Sequence, residues 1–311
     1  MNRMHHTRLI EAGLLGVAVA VPFLLQAIDE AYYIGFATRL LIFALAATSL
    51  NFIVGYGGMV AFGHAAFFGG GAYVVALLMT AGVQSAWLSF PLAAALTAAL
   101  ATVIGLISLR TRGVYFIMIT LAFAQMIFYI TLSLKFAGGD DGLPLLQRSS
   151  LAPFDLTDDA TLYWLSLALL SAVLYGLQKL DHARYGRALA GLRQNETRME
   201  ALGYPVRNLK LLCFVMGAAV AGIAGALLAN QNGLASPNQL YWTQSGMLLV
   251  MVILGGVGRR YGGVIGAIVL LGIEEALGRL TEHSHLYVGI ILLLVVLFAP
   301  RGLAGLLGQS R

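Results

Sequence analysis

Apolar runs of about 20 residues recur from one end of the chain to the other. They lie at about 9–28, 36–54, 59–80, 87–109, 114–134, 161–180, 209–231, 244–257, 262–280 and 286–300. A run of this length as a helix matches the roughly 30 Å hydrocarbon core of a bilayer. Inside lipid every backbone N–H and C=O must be paired within the segment, which leaves helices or a closed barrel. A barrel would show alternating segments of about 10 residues, and none is visible. Of the 311 residues 59% are hydrophobic and 11% charged, against roughly 25% charged in a soluble domain. That balance excludes an ordinary soluble enzyme, a nucleic-acid binder and a disordered chain. The expectation is an all-α, polytopic integral membrane protein, with 1–311 one transmembrane domain of about ten helices. The eighth and tenth runs are short, and the eighth is open to a tilted or re-entrant path.

Charge placement tests that count. The net charge is +5, and of the 19 basic residues 15 fall on one side if the ten runs alternate. They are Arg3 and Arg8, Arg110 and Arg112, seven between Lys179 and Lys210, Arg259 and Arg260, and Arg301 and Arg311. The other side collects Asp29, Glu30, Asp140, Asp141, Asp155, Asp158, Asp159 and Glu282. Lys/Arg excess marks the cytoplasmic side, so both termini are expected in the cytoplasm. The first run also has features of a cleaved signal peptide, with Ala18-Val19-Ala20 as a passable cleavage triplet. Glu11 interrupts its apolar region and the run continues through Pro22 to Ile28, which favours a retained helix.

No catalytic or metal-binding motif is present. There is no G-x-x-x-x-G-K-[ST], H-E-x-x-H or C-x-x-C, and the single Cys213 sits inside an apolar run as a small buried residue. A self-sufficient proton-coupled carrier needs ionisable groups at mid-membrane, and only Glu11, Glu274 and Glu275 are on offer. Arg279 stands four residues after Glu275, the spacing of a local helix ion pair. Glu282, His283 and His285 lack a distant fourth ligand for a metal.

Glycine carries the most unusual pattern. Seven glycines fall between 55 and 71, at depths where a regular helix is expected. Each costs about 1 kcal/mol relative to alanine in a helix interior. The cluster predicts a broken helix or a very close helix crossing, and broken helices in transporters expose backbone to the solute path. Gly63, His64, Phe67, Gly69, Gly70 and Gly71 are therefore the candidate path residues. For His64 a structural hydrogen bond inside the bundle is the competing reading. Small residues also repeat at i, i+4, i+8 in Gly258, Gly262, Gly266 and in Ala218, Gly222, Ala226, the spacing of tight helix packing.

Two loops stand out. The outer loop, about 135–160, holds Asp140 and Asp141 between glycines, either a docking or cation-binding element or a solvated turn. The inner loop, about 181–208, contains a helix-compatible stretch, 187–202, with Leu189, Leu192 and Met199 on one face and Gly203 and Pro205 as its stop. Such a helix lies on lipid or fits a groove in a soluble partner, and its mixed charge suits a protein groove better. Asn230, Gln231 and Asn232, at the end of the seventh run, are open to lining an exit or to plain solvation.

Five segments, taken together and in order, resemble the LivM-type permeases, the membrane subunits of branched-chain amino acid ABC importers. They are the Gly-rich stretch 51–73, R-G-V-Y-F-I-M-I-T-L-A-F at 112–123, G-G-D-D-G-L at 138–143, G-R-A-L-A-G-L-R-Q-N-E-T-R-M-E-A-L-G at 186–203 and L-G-G-V-G-R-R-Y-G-G-V-I-G-A at 254–267. The resemblance runs from about Leu50 to Pro300.

The resemblance implies a permease with no chemistry of its own in the bacterial cytoplasmic (inner) membrane. Its partners would be a homologous second permease subunit, two cytoplasmic ABC ATPases that carry ATP and Mg, and a periplasmic or lipid-anchored solute-binding protein. Gly186, Arg187, Arg193, Glu196, Glu200, Ala201, Leu202 and Gly203 would form the ATPase-coupling segment. The general importer signature has a glycine several residues after E-A-A. Here Glu200-Ala201-Leu202 runs straight into Gly203, a departure from that form. Asp140 and Asp141 would serve outer-face structure or docking of the binding protein. Sister systems imply urea, short amides or small carboxylates as alternative solutes, and an ion-coupled secondary transporter is the alternative of another class.

Overall fold

The computed structural model describes residues 31–151, 154, 156–280, 284–298 and 302–306. The expected first run at 9–28, with its signal-peptide alternative, lies outside them. So do Glu282, His283, Arg301 and Arg311.

The described residues are 79% helical, and the helices follow the apolar runs and the inner loop. They are α1 (Ala31–Asn51), α2 (His64–Thr80), α3 (Ala86–Ser108), α4 (Val114–Ser133), α5 (Asp159–His182), α6 (Arg184–Gln194), the short α7 (Glu196–Ala201), α8 (Val206–Asn232), α9 (Trp242–Gly255), α10 (Gly262–Leu280) and α11 (Ser284–Phe298), with a one-turn α12 (Leu303–Leu306) after it. Two residues each at Leu143–Pro144 (β1) and Leu234–Ala235 (β2) make one antiparallel ribbon. Among the described residues, five helices are long and apolar enough to cross a membrane: α1 with the turn that follows it, α3, α4, α5 and α8. The shorter His64–Thr80, Trp242–Gly255 and Leu286–Val295 are also apolar.

Packing orders these helices from centre to rim. The α1 span is 78% buried and the α4 span 17%. Around α1 pack α5, α8, α9 and α10, while α2 sits between α3 and α8. The outer faces of α3, α4 and α11 expose Val103, Tyr115, Met118, Ile130, Leu293 and Leu297. An apolar surface this extensive suits contact with lipid, not water.

Local signals set the helix ends. Asp158 N-caps α5, its carboxylate accepting from the Ala160 N–H, and Asp159 sits in the first turn. Lys179 and His182 sit in the last, so both ends complement the helix dipole. The left-handed Gly233 (φ 65°) ends α8 and turns the chain into β2.

Loops sort into two groups by their contacts. In one, β1 pairs with β2, Ser150 N–H donates to Gln84 O at 2.7 Å, and Ser149 N–H donates to Asn230 Oδ1 at 2.7 Å. In the other, Arg260 pairs with Asp181 at 2.9 Å, Arg112 with Glu200 at 2.7 Å, and Arg207 donates to Leu106 O at 2.7 Å. The groups coincide with the two sides that charge placement separates.

Three expectations are corrected. The third run does not begin as helix at 59: residues 57–63 are irregular and α2 starts only at His64. The stretch 187–202 is not one helix. It breaks at Asn195, whose extended backbone (φ −159°) frees its side chain to accept the Arg198 N–H at 2.9 Å and cap α7. Plain solvation does not account for Asn230, which is fully buried, holding Ser149 and its own Ala226 O; Gln231 donates to Gly35 O at 2.6 Å, and Asn232 is exposed.

Candidate functional site

The Gly-rich stretch interrupts the bundle in two steps. First α1 widens into a π turn, Phe52–Tyr56, closed by Gly57 N–H donating to Phe52 O at 3.2 Å. Such turns are rare and are frequently found at functional sites. The chain then runs irregularly through Gly58 to Gly63 before α2 begins. His64, the first residue of α2, is fully buried. Its Nε2 lies 2.8 Å from Ser49 Oγ, and the Ser49 hydroxyl donates to Ala46 O at 2.6 Å. With that hydroxyl proton committed, the imidazole Nε2–H is the donor of the pair. Ser245 Oγ accepts the Ala65 N–H at 2.7 Å. Two serines on neighbouring helices thus hold the first turn of α2.

Phe67 is also fully buried, edge-on to His64 (centroids 6.1 Å) and to Phe214 (5.4 Å). The glycines explain themselves by space. A Cβ on Gly71 would strike the Gly222 carbonyl, and one on Gly225 the Phe68 carbonyl, so α2 and α8 cross backbone against backbone. A Cβ on Gly69 would meet the Leu240 side chain at 2.7 Å, and one on Gly63 would meet Thr120 O at 3.0 Å. Gly70 is the exception, with only Thr97 Cγ2 near, at 3.7 Å. Gly63, His64, Phe67, Gly69 and Gly71 are thus buried packing residues of this chain, and Gly70 is half-buried.

A cavity of about 350 Å³ opens beside the irregular stretch. Gly58, Met59 and Val60 form one wall, and Arg112, Gly113 and Phe116 at the start of α4 form another. Glu196, Glu200 and Lys210 complete it from α7 and α8.

The inner-loop residues divide by direction. Leu189, Leu192 and Met199 are buried against the bundle, so the apolar face packs inward. Gly186 has no room for a Cβ against the Leu180 carbonyl. Tyr185 donates to Leu209 O at 2.9 Å, and burial raises its hydroxyl pKa above the ordinary tyrosine value, keeping it a donor. Glu196 pairs with Lys210 at 2.6 Å and Arg112 at 3.5 Å, and Glu200 with the same Arg112 at 2.7 Å. Arg187 is exposed and turns back to His182 O at 3.2 Å. Arg193 points inward and donates to Gly55 O at 2.6 Å. Ala201, Leu202 and Gly203 form an exposed tip.

Asp140 and Asp141 are exposed on a turn between Lys135–Ala137 and β1. Glu275 and Arg279 form the i,i+4 ion pair that their spacing predicts, at 3.0 Å, with Tyr32 donating to Glu275 at 2.7 Å. Cys213 is fully buried, its thiol 3.6 Å from Phe52 O.

Sequence reasoning missed Asn51. Its Nδ2 donates to Arg259 O at 2.7 Å and its Oδ1 accepts from Gly258 N at 2.8 Å. The available signal was a carboxamide at the end of an apolar run, costly in lipid unless paired.

Comparison with known proteins gives the family. Residues 32–300 match the family described as branched-chain amino acid transport system / permease component. The chain is 29% identical over 320 residues to the high-affinity branched-chain amino acid transport system permease protein LivM of Escherichia coli (strain K12), covering 95% of this chain and 74% of that protein. It is 28% identical over 287 residues to the permease protein LivH of the same strain, covering 85% of this chain and 91% of that one. It is 31% identical over 157 residues to the probable LivM permease of Methanocaldococcus jannaschii, covering 45% of each chain. No solved structure matches the chain. A helical membrane bundle broken at a glycine-rich turn, matched to one family over residues 32–300, identifies the chain as a LivM-type permease, a member of the branched-chain amino acid transport permease family.

Proposed function

We propose that this chain is the LivM-side permease subunit of an ATP-driven importer and forms part of the path for branched-chain amino acids. The observation that carries the reading is the match over 32–300, which takes in the π turn, the irregular stretch and the inner-loop helices. Similarity to both LivM and LivH supports pairing with a second, homologous permease. In this reading the chain crosses the bacterial inner membrane about ten times with both ends inside. The contact groups among the loops support that count, because each loop meets only loops of its own charge class in the hydrogen bonds and ion pairs described above. As α2 has 17 residues, it rises only about 26 Å, and the irregular stretch before it completes the crossing.

Two cytoplasmic ATPases bind ATP and Mg and seat on α6, α7 and the exposed tip at Leu202. The solute-binding protein docks on the opposite face, at Asp140 and Asp141. Closure of the ATPases rocks the helices between outward and inward access, with the Gly63–Gly71 region setting the geometry of the path. Two packed arrangements separated by a few kcal/mol suffice, tipped by the partners.

The test is uptake of labelled leucine, isoleucine and valine in cells that lack their own high-affinity uptake and express the chain with a second permease, the ATPases and a solute-binding protein. Uptake that is lost when the ATPases are inactivated supports the reading. Uptake that survives this but collapses with an ionophore replaces it with an ion-coupled carrier. Competition by urea or acetamide, with none by leucine, moves the solute to the amide class.

A further inference from the structure

We propose that Arg193 is a positioning residue that transmits movement of the coupling segment into the bundle, rather than a contact to the ATPase. The proposal rests on the reading of α6 and α7 as the ATPase-bearing segment.

Direction is the first argument. Arg193 lies in the last turn of α6, on an exposed position, yet its guanidinium reaches Gly55 O at 2.6 Å, 138 residues away in sequence. Arg187, on the same helix, bonds only five residues back, to His182 O at the end of α5. The target is the second argument. Gly55 belongs to the π turn at the end of α1, where carbonyls lose their regular helical partners and carry the negative end of the helix dipole. A guanidinium there makes a charge-assisted bond that a neutral side chain would not match.

Tightness is the third. A Cβ on Gly258 would fall on Arg193 Nη1, and one on Gly55 would fall on the Gly258 backbone. Guanidinium, π turn and the 256–261 turn therefore touch with no slack between them. Asn51 locks the last two together through Gly258 N and Arg259 O. One side chain thus connects α6 to both the α1–α2 break and the entry into α10. Residues 58–60, immediately after the π turn, form a wall of the cavity whose opposite side is held by Glu196 and Glu200 through Arg112. Displacing α6 moves one wall, and displacing α7 moves the other.

The experiment uses the full complex in proteoliposomes and reads three quantities: ATPase co-purification, ATP hydrolysis and labelled leucine uptake. Arg193→Gln is expected to retain the ATPases and hydrolyse ATP near the wild-type rate, while uptake per ATP falls about tenfold. Arg193→Lys, which keeps a donor and the charge, is expected to recover part of that ratio. An unchanged ratio in Arg193→Gln overturns the proposal. Loss of ATPase co-purification in Arg193→Gln also overturns it, by making Arg193 a direct contact. Absence of both variants from the membrane overturns it in favour of a purely structural role. A wild-type chain that brings down no ATPase overturns the coupling reading and this proposal together, and is distinguished by failing before any variant is made.

Discussion

The side chain of Asn51 and the backbone of Gly258, 207 residues apart, meet at 2.8 Å, and the same carboxamide bonds Arg259 O at 2.7 Å. One residue at the end of α1 therefore satisfies both a donor and an acceptor of the turn before α10. Asn51 is fully buried, while Gly258 and Arg259 are half-buried. Asn51→Ala is expected to destabilise the chain by about 1–3 kcal/mol, since two half-buried backbone groups lose their partner. Thermal unfolding in detergent, followed by size exclusion, measures it; a shift within error of wild type would remove Asn51 from this role.

Glycine-to-alanine changes should split by sign. Gly71→Ala and Gly225→Ala drive a methyl into the carbonyls of Gly222 and Phe68, and each should cost about 1–3 kcal/mol or more. Gly35, within α1, has open space where a Cβ would stand, with nothing within 4 Å. Gly35→Ala should therefore stabilise by about 0.5–1 kcal/mol through helix propensity. The same unfolding assay reads both, and equal signs would refute the backbone-contact account of the α2–α8 crossing.

Ser49→Ala removes the acceptor of His64 Nε2 in a site with no exposure to water. A cost of about 1–3 kcal/mol is expected. Insertion into the membrane should persist, because the rest of α1 is unchanged. A variant as stable as wild type would show that His64 finds another partner.

Of the three ion pairs that Glu196 and Glu200 make, the two shortest, Lys210–Glu196 and Arg112–Glu200, should differ in strength. Lys210 and Glu196 are mostly shielded, at 17% and 25% side-chain exposure, whereas Arg112 is 64% exposed. Double-mutant cycles should give about 1 kcal/mol or more for Lys210–Glu196 and about 0.5 kcal/mol for Arg112–Glu200. Raising salt should erode the second more than the first. The reverse ranking would mean that shielding does not govern the pair strengths here.

Much of the fold was legible because lipid imposes a simple rule: an apolar run long enough to cross must be helical. The helices over 86–108, 114–133, 206–232 and 262–280 match their runs to within a few residues. The break after α1 was visible in composition, but its form was not. Whether seven glycines make a π turn, an irregular stretch or a close crossing depends on what packs beside each one, and here all three occur. The break at Asn195 was masked for a different reason. Its capping signal to Arg198 is local, but helix-forming residues on both sides compete with it. Arg193 was legible as a charge on the inner face and not as a vector. Its partner, Gly55 O, is a backbone atom that leaves no trace in the pattern of side chains.

The crossing of α2 and α8 has a mechanical consequence. Side-chain interfaces adjust by changing rotamers, which lets helices slide or roll by small amounts. At Gly71 against Gly222, and Phe68 against Gly225, there is no side chain between the backbones to rotate. The two helices are welded at that point into one stiff lever, and the crossing is its natural fulcrum.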